Sequence, residues 1–163
     1  MGEVNSMSQK YVTGDEMLDC IVGIKSSKME EEGINFSVDG VIDGGLGMKP
    51  VDICSVFANA IDNAIEVCEN LSQNGNRWIK LSLNKMDESY LVKLSHTVPI
   101  EEKKGFTGIL FGTNEKISPK KKSLNDFGIQ NMRAAISKYK GTEKSEVKDG
   151  VFTLSITIPR SEV

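Results

Sequence analysis

At 163 residues, 39% of them hydrophobic and 26% charged, with a net charge of −3, the chain can build one good core. It carries no general attraction to nucleic acid or to an anionic membrane. Cys20, Cys54 and Cys68 are odd in number, lie in helical patterns and form no C-x-x-C pair, so buried thiols in a reducing compartment fit better than disulfides or zinc. No apolar run reaches the ~18 to 20 residues that cross a bilayer, which gives the expectation of a soluble, cytoplasmic domain, whole or cut from a larger protein.

Residues 1–10 are polar and aperiodic and read as a disordered lead-in, so the domain is expected over 11–163. Thr13-Gly14-Asp15-Glu16 has the spacing of a capping box, with the Thr13 hydroxyl on a backbone N–H and Glu16 reaching back. It opens a first helix through Leu18, Ile21 and Val22 to about Glu32, stopped by Gly33. Ile34, Phe36 and Val38 then alternate as a half-buried strand, and Val41-Ile42 is expected to pair beside it. Gly44, Gly45 and Gly47 mark a loop, and Pro50 suits a first helical turn.

The stretch Pro50 to Leu71 is the helix around which the rest is organised. Ile53, Cys54, Phe57, Ala60, Ile61, Ala64, Ile65, Cys68 and Leu71 recur at helical spacing as one buried face. Asp52, Ser55, Asn59, Asp62, Asn63, Glu66 and Asn70 fall in a narrow stripe opposite. A solvated face is the plain explanation of such a stripe, but Lys, Glu and Gln would serve it better, because Asn and Asp each cost about 0.5 kcal/mol in a helix relative to Ala. Short carboxamides and carboxylates one turn apart can hold a hard cation or a water, so the stripe is a candidate metal and phosphate site.

Trp78 to Leu83 and Tyr90 to Leu94 read as a hairpin. From Thr97 the chain loses its period for about 30 residues, far beyond the usual four to six, and 97–127 is expected to be a lid. Six lysines in it face four acids. Gly128 then stands at the expected entrance of a third helix through Ile129, Met132, Ala135, Ile136 and Tyr139, stopped by Gly141. A glycine there lets a ligand approach free backbone N–H groups. Asp149-Gly150 turns a last hairpin that ends at Pro159. The expected fold is a two-layer α/β sandwich, a mixed or antiparallel sheet with three main helices on one face.

With these elements in register the chain resembles the ATP-binding domain of the GHKL superfamily, the Bergerat fold, which sensor histidine kinases share with DNA gyrase and MutL. The likeness is greatest to kinases of the accessory gene regulator, peptide-sensing type. It runs from Tyr11 to Pro159, and its most specific piece is Asn59-Ala60-Ile61-Asp62-Asn63-Ala64-Ile65-Glu66, which looks like the family's N-box. The resemblance implies ATP and Mg²⁺ as ligands, with Asn63 on the metal, Asp62 beside it and Asn59 in a catalytic place near the γ-phosphate. Phe127-Gly128-Ile129 looks like the second glycine box, with Gly128 and Ile129 at the nucleotide. Thr113 and Lys116 look like the lid residues that touch phosphate. His96 falls where kinases of this type carry the asparagine that meets adenine.

The function implied is the catalytic domain of a two-component sensor kinase. Such a domain passes the γ-phosphate to a histidine on a dimerisation domain, presumed to lie in the same full-length, membrane-anchored receptor, with a response regulator downstream. Two departures, His96 for asparagine and Asp126-Phe127-Gly128 for Gly-x-Gly, motivate the alternative of a degenerate, non-catalytic nucleotide-binding or docking module. A serine kinase of the anti-sigma-factor type is a further alternative on the same fold.

Overall fold

The structure, a computed structural model, describes residues 11–72, 75–99 and 124–160, with the backbone alone for 124–127. Thr113, Lys116 and most of the expected lid lie outside the described residues. In chain order the elements are α1 (Glu16–Glu31), β1 (Asn35–Asp39), α2 (Pro50–Ile53), a π turn (Cys54–Ala58), α3 (Asn59–Glu69), β2 (Trp78–Lys85), β3 (Ser89–Thr97), α4 (Leu124–Lys138), β4 (Thr142–Lys148) and β5 (Val151–Pro159). The helix α2, the π turn and α3 form one continuous rod, called here the central helix.

The sheet order is β1-β2-β3-β5-β4. β1 lies parallel to β2, and every other pairing is antiparallel, so the sheet is mixed. Asp149 and Gly150 both take positive φ, as the tight turn between β4 and β5 requires. Alternate residues Ile79, Leu81 and Leu83 of β2, Val92 and Leu94 of β3, and Phe152, Leu154, Ile156 and Ile158 of β5 are buried against the helices. Leu18, Val22, Phe57, Ile61, Ala64, Met132 and Ile136 meet them from above. Burial of a side chain such as Phe57 contributes about 1.5 to 3 kcal/mol, so this one interface supplies most of the force that fixes the layers.

Three expectations are corrected. The cap of α1 is Asp15, whose Oδ1 accepts from the Leu18 N–H at 3.0 Å. The Thr13 hydroxyl does take a backbone N–H, that of Asp15 at 3.1 Å, but not one inside the helix, and Thr13 donates its own N–H and hydroxyl to Asp19 Oδ1 at 2.6 and 2.7 Å. A carboxylate one residue before the helix reaches the orphan N–H directly, which leaves Thr13 free to tie down the preceding turn. Val41 and Ile42 form no strand; the Ile42 N–H is taken by Thr13 O at 2.7 Å, and this ties the loop to the start of α1. Cys20 and Cys54 are exposed and only Cys68 is buried. The wide π turn slips the helical phase, so Cys54 faces out while Val56 enters the core.

Candidate functional site

The π turn ends where the polar residues of the central helix begin. Asn59 donates its Nδ2 to Ser55 O at 2.6 Å, while its backbone N–H goes to Val56 O. The side chain therefore closes a carbonyl that the π turn takes out of the normal i to i−4 ladder. Its remaining oxygen, Oδ1, points toward α4, where Gly128 comes so close that a Cβ there would lie 2.9 Å from it. The structure thus brings Asn59 and Gly128 together, with Ile129 half-buried beside them on the core.

Gly128 is not at the entrance of its helix. α4 begins at Leu124, so Gly128 lies a turn inside, past the first four N–H groups that a helix leaves open. Asn59 is the side chain that makes the close approach to Gly128.

Further along α3, Asp62 and Asn63 part company. Asp62 is exposed and pairs with Lys25 of α1 at 2.8 Å. Asn63 is only 3% exposed, and its carboxamide makes no hydrogen bond with any described residue. The stripe divides in the same way at its start. Asp52 is buried, accepting from the Tyr139 hydroxyl at 2.5 Å and from Lys138 Nζ at 3.1 Å. The hydrogen bond from Tyr139, then the Lys138 contact, holds the Asp52 carboxyl below its usual range against the opposing effect of burial. Asp52 fastens the end of α4 to the start of the central helix and belongs to the scaffold.

On the sheet, His96 continues the inward parity of Val92 and Leu94 and is wholly buried. It stands level with Ile79 of β2 and Phe152 of β5, and its ring lies against that of Phe152 at 5.0 Å. Nδ1 is 3.0 Å from Thr97 O. Nε2 is buried with no hydrogen-bond partner among the described residues. Burial holds the His96 pKa down at about 4, so the ring is neutral at ordinary pH. Since α3 packs on both β2 and β3, the Asn63 carboxamide and the His96 ring belong to facing layers. A shallow groove over Asn35, Phe36, Ser37, Trp78 and Lys80 is lined by none of the candidate residues.

The family model of the GHKL domain matches residues 48–159, from the loop before the central helix to the end of β5. The chain belongs to the GHKL domain family. Solved histidine kinase domains share the fold of this GHKL domain. The catalytic domain of the histidine kinase ThkA, nucleotide-free, superposes with a TM-score of 0.64 at 21% identity, over 88% of this chain and 90% of that one. The mycobacterial sensor histidine kinase MprB gives 0.64 at 12% identity over 88% and 93%. The Acinetobacter baumannii histidine kinase AdeS gives 0.63 at 15% over 88% and 63%. ThkA has also been solved in complex with the response regulator protein TrrA, and that chain matches with a TM-score of 0.61 at 17% identity, over 90% of this chain and 40% of that one. A search of curated protein sequences returns no match. Among the described residues no helix is long and apolar enough to cross a membrane.

Proposed function

We propose that this GHKL domain is the ATP-binding catalytic domain of a two-component sensor histidine kinase. In this reading it binds Mg-ATP between α3 and the 97–127 lid and donates the γ-phosphate to a histidine on a separate dimerisation domain, from which a response regulator is served. The whole protein would then be a membrane-anchored receptor with this domain on its cytoplasmic side. The observation that carries the proposal is the placing of Asn59 and Asn63 one turn apart on α3, the first against Gly128 and the second buried with no hydrogen bond to a described residue.

The residues fit the group they would hold. Mg²⁺ takes one or two protein oxygens and completes its shell from phosphates and water, so a single carboxamide oxygen, that of Asn63, is enough. The ion would neutralise charge on the phosphates as transfer proceeds. Asn59, fixed at both ends by Ser55 and Gly128, would hold its oxygen toward the reacting phosphate without reorganising. Asp62 would orient water at the metal, Ile129 would pack beneath the nucleotide, His96 would meet the base, and Thr113 and Lys116 would reach the phosphates from the lid. Positioning and charge compensation, rather than covalent chemistry by the protein, carry this reaction.

A degenerate, non-catalytic nucleotide-binding or docking module is the second reading. It is favoured by the enclosure of the Gly128 N–H within α4 and by the Lys25 pairing of Asp62. Calorimetry with a non-hydrolysable ATP analogue, with and without Mg²⁺, separates the two. The kinase reading expects Mg-dependent binding that Asn63→Ala removes, and phosphate transfer once an acceptor domain is supplied. No binding at millimolar analogue would end it.

A further inference from the structure

We propose that the outer face of the sheet, the one turned away from the described helices, is a docking surface for an acidic protein partner. Ile79, Leu81, Leu83, Val92 and Leu94 point to the helices and are buried, while the alternate residues of the same strands are half-buried or exposed on the other side. The surface is therefore separate from Asn63 and His96, and the proposal stands apart from the nucleotide reading.

The strand register fixes what this face presents. Lys80 of β2 stands between Ser37 and Ser95, Lys93 of β3 stands between Ser82 and Ser155, and Lys144 and Lys148 of β4 lie opposite Ser155 and Val151. All four lysines are exposed, and none forms an ion pair with a described residue. The outward acids are Asp39 and Glu146, both on the edge strands β1 and β4, so the three inner strands show lysine and no carboxylate. The hydroxyls between them are turned on one another, Ser95 Oγ lying 3.3 Å from Thr153 Oγ1, and Thr97 Oγ1 accepts from the Trp78 N–H at 3.4 Å. A face kept polar only for solubility would mix both signs. Here the chain carries −3 overall, and α1, α2 and α3 hold eight acids against two lysines, yet the opposite side of the molecule is basic. An acidic surface is repelled by the helices and drawn to the sheet.

Trp78, the chain's only tryptophan, also points outward, beside the shallow groove over Asn35, Phe36, Ser37 and Lys80. A half-buried indole there supplies an apolar anchor point at one end of the lysine field. Single-stranded nucleic acid is the rival polyanion, but it stacks successive bases on several aromatic rings, and Trp78 is the only aromatic side chain among the outward strand residues. Five strands about 4.8 Å apart and some 20 Å long give a face of roughly 400 Å², about half of what each side of a stable interface buries. The contact is accordingly transient and dominated by charge.

The test uses Trp78 as its reporter and poly-L-glutamate as its probe. At low salt the probe should shift the Trp78 emission along a saturating curve, with an affinity that falls at least about tenfold as salt is raised from roughly 50 to 200 mM. Lys80→Ser, Lys93→Ser and Lys144→Ser together should weaken binding about tenfold or more at low salt, with the urea midpoint unchanged. The same change at Lys120, Lys121 and Lys122 should leave it as it was. The salt titration needs no substitution and decides the matter by itself if a variant fails to fold. No shift of the Trp78 emission, a shift indifferent to salt, binding undiminished in the first triple variant, or binding lost in the second would each overturn the proposal. So would tighter binding of a dT oligonucleotide than of poly-L-glutamate, which would assign the face to nucleic acid. Self-association of the chain that the first triple variant abolishes would overturn it too, by making a second copy the occupant.

Discussion

Gly128 of α4 and Asn59 at the head of α3 are in contact so close that a methyl group on the glycine would sit 2.9 Å from Oδ1 and 3.2 Å from Cγ of the asparagine. The amide cannot simply swing away, because its Nδ2 is held on Ser55 O at 2.6 Å. Two effects oppose each other in Gly128→Ala. Helix propensity gains up to about 1 kcal/mol, and overpacking against a fixed group costs about 1 to 3 kcal/mol. The second wins, and the variant is expected to lose on the order of 1 kcal/mol in urea denaturation. In an Asn59→Ala background the obstacle is gone and the same change should stabilise. A Gly128→Ala protein as stable as the wild type with Asn59 present would show that the contact is slack.

The buried histidine makes stability depend on pH in a defined window. Unfolded, His96 titrates near 6.5; folded, burial lowers this to about 4. Above pH 6.5 both states are neutral there and the residue contributes no slope. As pH falls from 6.5 to 4 the unfolded chain takes a proton that the folded one refuses, and stability drops by about 1.4 kcal/mol per unit, on the order of 3 kcal/mol in all. Asp52, with its carboxyl held low by Tyr139 and Lys138, adds its own loss only below the usual carboxylate value of 3.8. Urea midpoints taken at half-unit steps should therefore show the wild type and His96→Phe running parallel above pH 6.5, with the wild type losing ground steadily to His96→Phe below it. Parallel curves through that window would mean that the histidine is solvated.

Much of this arrangement was legible in the residues, and the gaps have physical causes. The apolar period of Ile53, Phe57, Ile61, Ala64, Ile65 and Cys68 predicts the buried face of the central helix because one face of a rod must meet a sheet. The π turn leaves no mark in the sequence, since a single wide turn keeps every residue type unchanged and alters only phase, so a regular helical period puts Cys54 inside and passes over Val56. The burial of His96 is legible in its parity with Val92 and Leu94, which points it inward. The N-box asparagines stood out because they cost helix stability. Gly128 stood out for a general reason that applies equally to a ligand and to a neighbouring side chain.

Arg77 is the residue whose role no sequence pattern announces, and it carries the sharpest stability prediction. It is 7% exposed, in the turn before β2. One arm, Nη1, donates to Glu32 O at 2.7 Å, past the end of α1. The other, Nη2, donates to Leu71 O at 2.7 Å and Glu69 O at 3.2 Å, at the end of α3. A single guanidinium therefore serves the orphan carbonyls of two helices and sets a positive charge at the negative end of each. Its own backbone O accepts from the Asn35 N–H at 3.0 Å, which ties the same turn to the start of β1. Arg77→Met keeps the stem and removes every donor, leaving part-buried carbonyls without this partner at both ends, and should cost about 1 to 3 kcal/mol. Arg77→Lys keeps the charge but offers no planar fork, so it cannot reach both helix ends at once and should recover less than half of that loss. Equilibrium urea denaturation measures both. Amide exchange should locate the damage at Ile34 and Leu71, the residues that follow the two helices, ahead of the sheet core. A lysine variant as stable as the wild type would reduce the role of Arg77 to its charge alone.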